Sequence, residues 1–216
     1  MINSASDYLA YQAAMDKIMA SQPQVISNEY GSYYMKDGVP IFVNVTIPKI
    51  NVAGRSWGPF SLNLSEDEQL YLYELCEIAG ADYYLELGRV VHENNSNPNA
   101  NKEKNDVLKV PKYAVGLMQV IPEYWSCYTD GEFYYYKMYK EAMDYAVSMG
   151  ADLNNMYDTY SNLYVGVCSL RQSIVEASGN FEDGLIKCAG DTQSPIEFKY
   201  YRDFLAVMVG EEKIYE

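Results

Sequence analysis

Over most of the second half of the chain, apolar residues recur every three to four positions, whereas near its start they alternate over a short stretch. That contrast predicts a helical body preceded by a strand pair. Residues 1–22 place Tyr8, Leu9, Tyr11, Met15, Ile18 and Met19 at helical spacing and stop before Pro23, so they are expected to form a short helix. From 24 to 48 the pattern changes to β-branched and alternating residues, with Tyr33-Tyr34, the turn signal Lys36-Asp37-Gly38 and then Ile41 to Ile47, which predicts a β-hairpin. Residues 51–63 carry Gly54, Gly58 and Pro59 without a sustained period and are expected to connect.

Beyond that connector the helix signals are local. Ser65 and Glu68 have capping-box spacing ahead of Leu70, Leu72, Tyr73, Leu75, Cys76 and Ile78, and Gly80 follows, which sets a helix over 66–79. Asp82 can cap the next helix, whose stripe is Leu87, Val90 and Val91 and which stops at Asn94-Asn95-Ser96-Asn97-Pro98. Glu93 therefore falls in a last helical turn. Residues 97–111 are polar and predict a surface loop. Helical patterns return at about 132–149, 158–178, 181–188 and 196–209, the first two closed by Gly150 and Gly179. The expected fold is mainly α, with a small N-terminal extension of helix and β-hairpin over 1–62 and a helical catalytic domain over 63–216.

Charge narrows the partners. With 16 Lys and Arg against 30 Asp and Glu, the formal charge is −14, the reverse of the basic footprint that nucleic acid selects. Anionic membrane surfaces repel such a chain for the same reason, and no apolar run long enough to span a bilayer is present. The 23 tyrosines suit stacking on sugar faces, although runs such as Tyr134-Tyr135-Tyr136 must divide between core and surface whatever the ligand. Cys76, Cys127, Cys168 and Cys188 form no C-x-x-C pair, and His92 is the single histidine. Neither a zinc site nor a redox dithiol is indicated, and four cysteines leave three disulfide pairings open. No cofactor or metal is expected. No basic region followed by an apolar run opens the chain, so no export signal is legible.

The segment Glu93-Asn94-Asn95-Ser96-Asn97-Pro98-Asn99-Ala100 and, downstream, Gly116-Leu117-Met118-Gln119-Val120-Ile121-Pro122 resemble two motifs of soluble lytic transglycosylases and goose-type lysozymes. In those enzymes a glutamate ends a helix four residues before N-P-x-A, and a G-L-M-Q-x-x-P segment follows. Asn162, Gly166 and Leu170 are similar to a third piece, N-x-x-x-G-x-x-x-L, and Glu197 with Tyr201 to a fourth, E-T-x-x-Y-V. The four pieces run in the family's order from residue 65 to about 209. Three departures stand out. Ile186-Lys187-Cys188-Ala189-Gly190 occupies the place of A-Y-N-A-G, Asn94 replaces a common Ser, and the polar loop before Gly116 is long.

The resemblance implies a lysozyme-like fold and cleavage of the β-1,4 bond between N-acetylmuramic acid and N-acetylglucosamine in peptidoglycan, outside the cytoplasm after export, phage delivery or passage through secretion machinery. It implies Glu93 as the single general acid and base. The muramic acid's own 6-hydroxyl would attack and leave a 1,6-anhydro end, so the substrate supplies what a second carboxylate supplies elsewhere. Met118, Gln119 and Tyr201 are the expected substrate-binding residues, the first two because the matching loop lines the glycan cleft. Such chemistry needs Glu93 to hold its proton, and the negative end of its helix favours that. Arg89, one turn earlier, is therefore expected to point away from it, and a direct Arg89 to Glu93 ion pair would count against Glu93 as the acid. His92 is expected to be structural. Two other readings remain open at this point: a muramidase that uses water, and a binding or assembly module that has lost activity, for which Lys187 and Cys188 are the suggestive features.

Overall fold

The computed structural model describes residues 13–17, 20–47, 51–52, 55–56, 60–62, 64–94, 114–121, 137–189 and 195–209. Within them the fold is mainly helical with a small antiparallel sheet. Six strands, β1 (Ile26–Asn28), β2 (Gly31–Lys36), β3 (Val39–Ile47), β4 (Asn51–Val52), β5 (Arg55–Ser56) and β6 (Phe60–Ser61), precede six helices. These are α1 (Glu66–Ala79), α2 (Tyr83–Asn94), α3 (Lys137–Ser148), α4 (Thr159–Glu176), α5 (Phe181–Cys188) and α6 (Pro195–Met208). Ahead of them, 13–17 and 20–21 are helical.

The expected hairpin is β2 with β3, joined at Asp37 and Gly38, whose φ angles of 52° and 84° give the left-handed two-residue turn that matches strand twist. The sheet is larger than the alternation predicted. β1 pairs with β2 and β6 pairs with β3, giving the order β1-β2-β3-β6, while β4 and β5 form a two-residue ladder of their own. The segment read as a plain connector over 51–63 thus holds three of the strands, each too short to show a period.

Helix ends follow the cap residues. At α1, Ser65 accepts from the Glu68 amide at 3.2 Å while Glu68 accepts from the Ser65 amide at 2.7 Å, and Gly80 closes the helix at φ 66°. Asp82 accepts from the Leu85 amide at 3.1 Å at the start of α2, and Asp158 caps α4 through the Ser161 amide at 2.9 Å. The structure begins α3 at Lys137; the expected start at 132 lies outside the described residues, as do the 97–111 loop, Asn97, Pro98, Ala100, Pro122 and Cys127.

Sheet and helices share one core. Tyr33, Ile41, Phe42 and Val45 from the sheet join Tyr71, Leu72 and Leu75 of α1, Leu163 and Val167 of α4 and Leu205 of α6 in a continuous apolar cluster. The seam between sheet and α1 is tied by the fully buried Gln69. Its amide accepts from the Phe42 N–H at 2.7 Å and donates to the carbonyls of Phe42 at 3.0 Å and Leu64 at 2.9 Å. At the rim, Tyr34 and Lys36 both donate to Glu66, and Tyr30 meets Phe204 of α6 edge-on at 5.0 Å. The hairpin packs on the helical body. Several of the described tyrosines belong to the core: Tyr71 is buried, stacks on Tyr145 at 5.4 Å and donates to the Tyr160 carbonyl.

Candidate functional site

α2 carries the residue of interest at its end. Its stripe, Leu87, Val90 and Val91, is wholly buried, and that packing fixes the helix so that Glu93, partly buried in the last turn, faces a pocket. The pocket is lined by Arg89 and Glu93 from α2, Met118 to Ile121 from the loop, Ser169 and Leu170 from α4, and Leu185, Cys188 and Ala189 around the end of α5. Its volume is about 40 Å³, roughly enough for a few waters or one polar substituent.

The loop that forms one wall is a tight reversal. Val115 and Val120 pair in both directions at 3.0 and 2.9 Å around a turn in which Gly116 lies at φ 72° and Gln119 at φ 47°. Asn162 of α4, 1% exposed, holds it in place. Its carbonyl oxygen accepts from the Met118 N–H at 2.7 Å, and its amide nitrogen donates to the carbonyls of Val115 and Met156, both at 2.9 Å. Gly116 is needed twice, for its left-handed backbone and because a Cβ there would lie 2.3 Å from the Asn162 amide nitrogen. One turn along α4, a Cβ on Gly166 would lie 2.5 Å from Met118, so the bare helix face there is the seat of the Met118 side chain. The Asn162 and Gly166 spacing and the Gly116 to Ile121 segment, read separately in the sequence, are two halves of one clasp.

The expected site residues do not all play one part. Met118 lines the pocket but is 2% exposed and packed on Gly166. Gln119 also lines it, and its side-chain amide donates back to the Gly116 carbonyl at 2.8 Å, which stiffens its own loop. Tyr201 is 2% exposed, belongs to α6, and packs against the other flank of α2, where its ring lies 5.7 Å from that of His92 and its backbone abuts Gly88. It is not among the lining residues. No described tyrosine is.

Comparisons with protein-family models, with curated proteins and with solved structures find no match to this chain.

One of the pocket's lining residues, Arg89, belongs to a buried ion pair that sequence reading missed. The Arg89 guanidinium donates to Glu86 at 2.7 Å and to the Gly166 carbonyl at 3.1 Å, and reaches the Cys188 sulfur at 3.8 Å. The two side chains are 5% and 1% exposed. Burial raises the Glu86 carboxyl against the pull of Arg89. The same burial opposes the Arg89 charge, but Glu86, Cys188 and Glu93 together hold the guanidinium more firmly protonated than usual. Arg89 thus feels the charge of Glu93 while giving its hydrogen bonds elsewhere. Cys188, standing where the resembling family has Asn, is pushed up by burial and stays a thiol; Lys187, standing where it has Tyr, turns outward to pair with Glu176. Cys76, Cys168 and Cys188 carry free thiols, and no metal-binding group of His, Cys, Asp and Glu occurs among the described residues.

A larger cavity of about 230 Å³ lies beside the first turn of α2, lined by residues that include Asp82, Leu85, Glu86, Arg171 and Phe181. It contains none of the expected site residues. Glu86 lines it while bonding to Arg89, which lines the smaller pocket. The signal that could have found the pair was an opposite-charge i,i+3 spacing inside a helix whose other positions read as apolar.

Proposed function

We propose that this chain is a peptidoglycan lytic transglycosylase in which Glu93 serves as the general acid and then the general base. The observation that carries the reading is that Glu93 and the 118–121 loop, two segments resembling consecutive motifs of that family, line a single pocket. The Asn162 and Gly166 clasp that resembles a third motif supports it.

In this reading the glycan strand lies across the pocket mouth, because the cavity accommodates a substituent rather than a ring. Glu93 delivers its proton to the oxygen linking N-acetylmuramic acid to N-acetylglucosamine as that bond breaks. The carboxylate left behind takes the proton of the muramic 6-hydroxyl as that oxygen closes on C1, and the acid is regenerated with a 1,6-anhydro product. Substrate supplies the nucleophile from within the same molecule, which replaces a second carboxylate with high effective concentration. Loop residues Met118 and Gln119 shape the wall rather than reach out with free polar groups. Tyr201 supports the acid's helix from behind. The chain would act where cell wall is found, outside the cytoplasm, with no cofactor.

Digestion of purified cell walls followed by mass spectrometry of the soluble muropeptides tests this. The expected products are lighter by one water than hydrolytic fragments, and Glu93→Gln is expected to lower their release by roughly 10² to 10⁴-fold, the usual contribution of a positioned acid, with unchanged thermal stability. Full-mass reducing ends would make the chain a muramidase. Equal release by both proteins would remove Glu93 from the mechanism and leave a wall-binding or assembly module.

A further inference from the structure

Arg89 and Glu93 are four residues apart on α2, the spacing at which two helical side chains meet and oppositely charged ones pair. An arginine that paired with Glu93 would hold it ionised and spoil it as a proton donor. The structure contains a reason why this does not happen. Glu86, three residues to the other side of Arg89, takes the guanidinium at 2.7 Å, and the Gly166 carbonyl and Cys188 sulfur occupy further donors at 3.1 and 3.8 Å.

We propose that Glu86 is a positioning residue for the candidate acid: by neutralising and anchoring Arg89 inside the protein, it keeps that cation from capturing Glu93. The inference deepens the transglycosylase reading and rests on it for its functional consequence, but its electrostatic content stands on the geometry alone. Two observations make the role specific. Glu86 is 1% exposed, and a carboxylate in such a place is tolerated only opposite a cation, so its position is tied to Arg89 rather than to solvent. Arg89 lines the same pocket as Glu93, so its charge acts there at short range wherever it is not compensated.

Among the described residues, the titratable groups facing that pocket are few. From α2 there is Arg89, from the end of α5 there is Cys188, which burial keeps as a thiol, and α4 and the 118–121 loop contribute none. On the flank toward α6, His92 stands against Tyr201. Arg89 is thus the cation of this set that bears directly on Glu93, and Glu86 is its counter-charge.

The test follows the Glu93 carboxyl directly, by carbon-detected NMR titration with the signal assigned through Glu93→Gln, alongside the pH profile of wall digestion. In Glu86→Gln the shape at 86 is kept and the counter-charge is lost, so Arg89 is left to act on Glu93. The Glu93 titration is expected to move to lower pH by about one unit or more, and the alkaline limb of the digestion profile to move with it, which is about a tenfold loss of rate per unit on that limb. Removing the cation as well, in Glu86→Gln with Arg89→Gln, is expected to return the Glu93 titration to the wild-type position or above it. A merely structural role predicts instead that the double variant is as impaired as the single one, with no shift in either titration. An unmoved Glu93 titration in folded Glu86→Gln would overturn the proposal. Should that single variant fail to fold, the double variant decides, since a Glu93 titration clearly below wild type there would overturn it equally. A shifted Glu93 titration with no wall digestion by any variant would keep the electrostatic role and discard the enzymatic reading.

Discussion

The protein uses the same device twice, and to different ends. Gln69 and Asn162 are both buried amides, each accepts one backbone N–H and donates to two backbone carbonyls, and each ties a reversing chain to a helix. Around Gln69 the chain it holds is β3, at the point where the β2–β3 register shifts between Ser32 and Tyr33, packed on apolar side chains. Around Asn162 the chain is a tight loop with two left-handed residues, a buried ion pair below it and a pocket beside it. Equal hydrogen bonding thus supports a region whose task is to stay folded and a region that stores awkward backbone in a fixed place.

That contrast can be broken by substitution. The largest effect is expected at Asn162→Ala. Three backbone groups lose their partner at a cost of about 1–3 kcal/mol for each group left buried and unsatisfied, and partial hydration should leave a net loss of roughly 3 kcal/mol. Because the 115–120 loop is released, the wall digestion that the transglycosylase proposal expects should also fall at least about tenfold per folded molecule. Denaturant melts and digestion rates measured on the same samples check both halves. Gln69→Met, which keeps most of the volume, should cost about 2 kcal/mol by the same accounting yet leave digestion per folded molecule unchanged. If turnover dropped there as well, the two clasps would not be separable. Ser65→Ala should be mildest, about 1 kcal/mol from the lost cap of α1, and is visible as a lower denaturant midpoint with no change in slope.

How much of this was written legibly in the chain differs between the same two regions. The limits of α1 follow from Ser65, Glu68 and Gly80, and the starts of α4 and α5 coincide with the Asp158 and Asn180 caps, because an N-cap is a bond between residues three apart and needs no knowledge of the rest of the fold. α4 ends at Glu176, with Ala177 as its C-cap, short of the expected 178. β4, β5 and β6 were not legible, since a two-residue strand has no period and is recruited by its partner. Within the site, position 93 at a helix end was anticipated, whereas the left-handed turn at Gly116 was not read from the sequence. The joining of that turn to Asn162, 44 residues away at Met118, is tertiary and had no local signature beyond the resemblance. Glu86 and Arg89 escaped for the opposite reason. Charges read locally as surface residues, and only a neighbour of opposite sign in the same buried space makes such a pair stable.

Gly88 gives the helix that carries Glu93 a further property. A Cβ there would lie 3.0 Å from the Tyr201 Cβ and 3.1 Å from the Arg202 amide nitrogen, so α2 and α6 touch main chain to main chain with nothing compressible between them. A contact without padding transmits displacement instead of absorbing it. A displacement of α6 therefore passes directly to the α2 backbone one and a half turns ahead of Glu93.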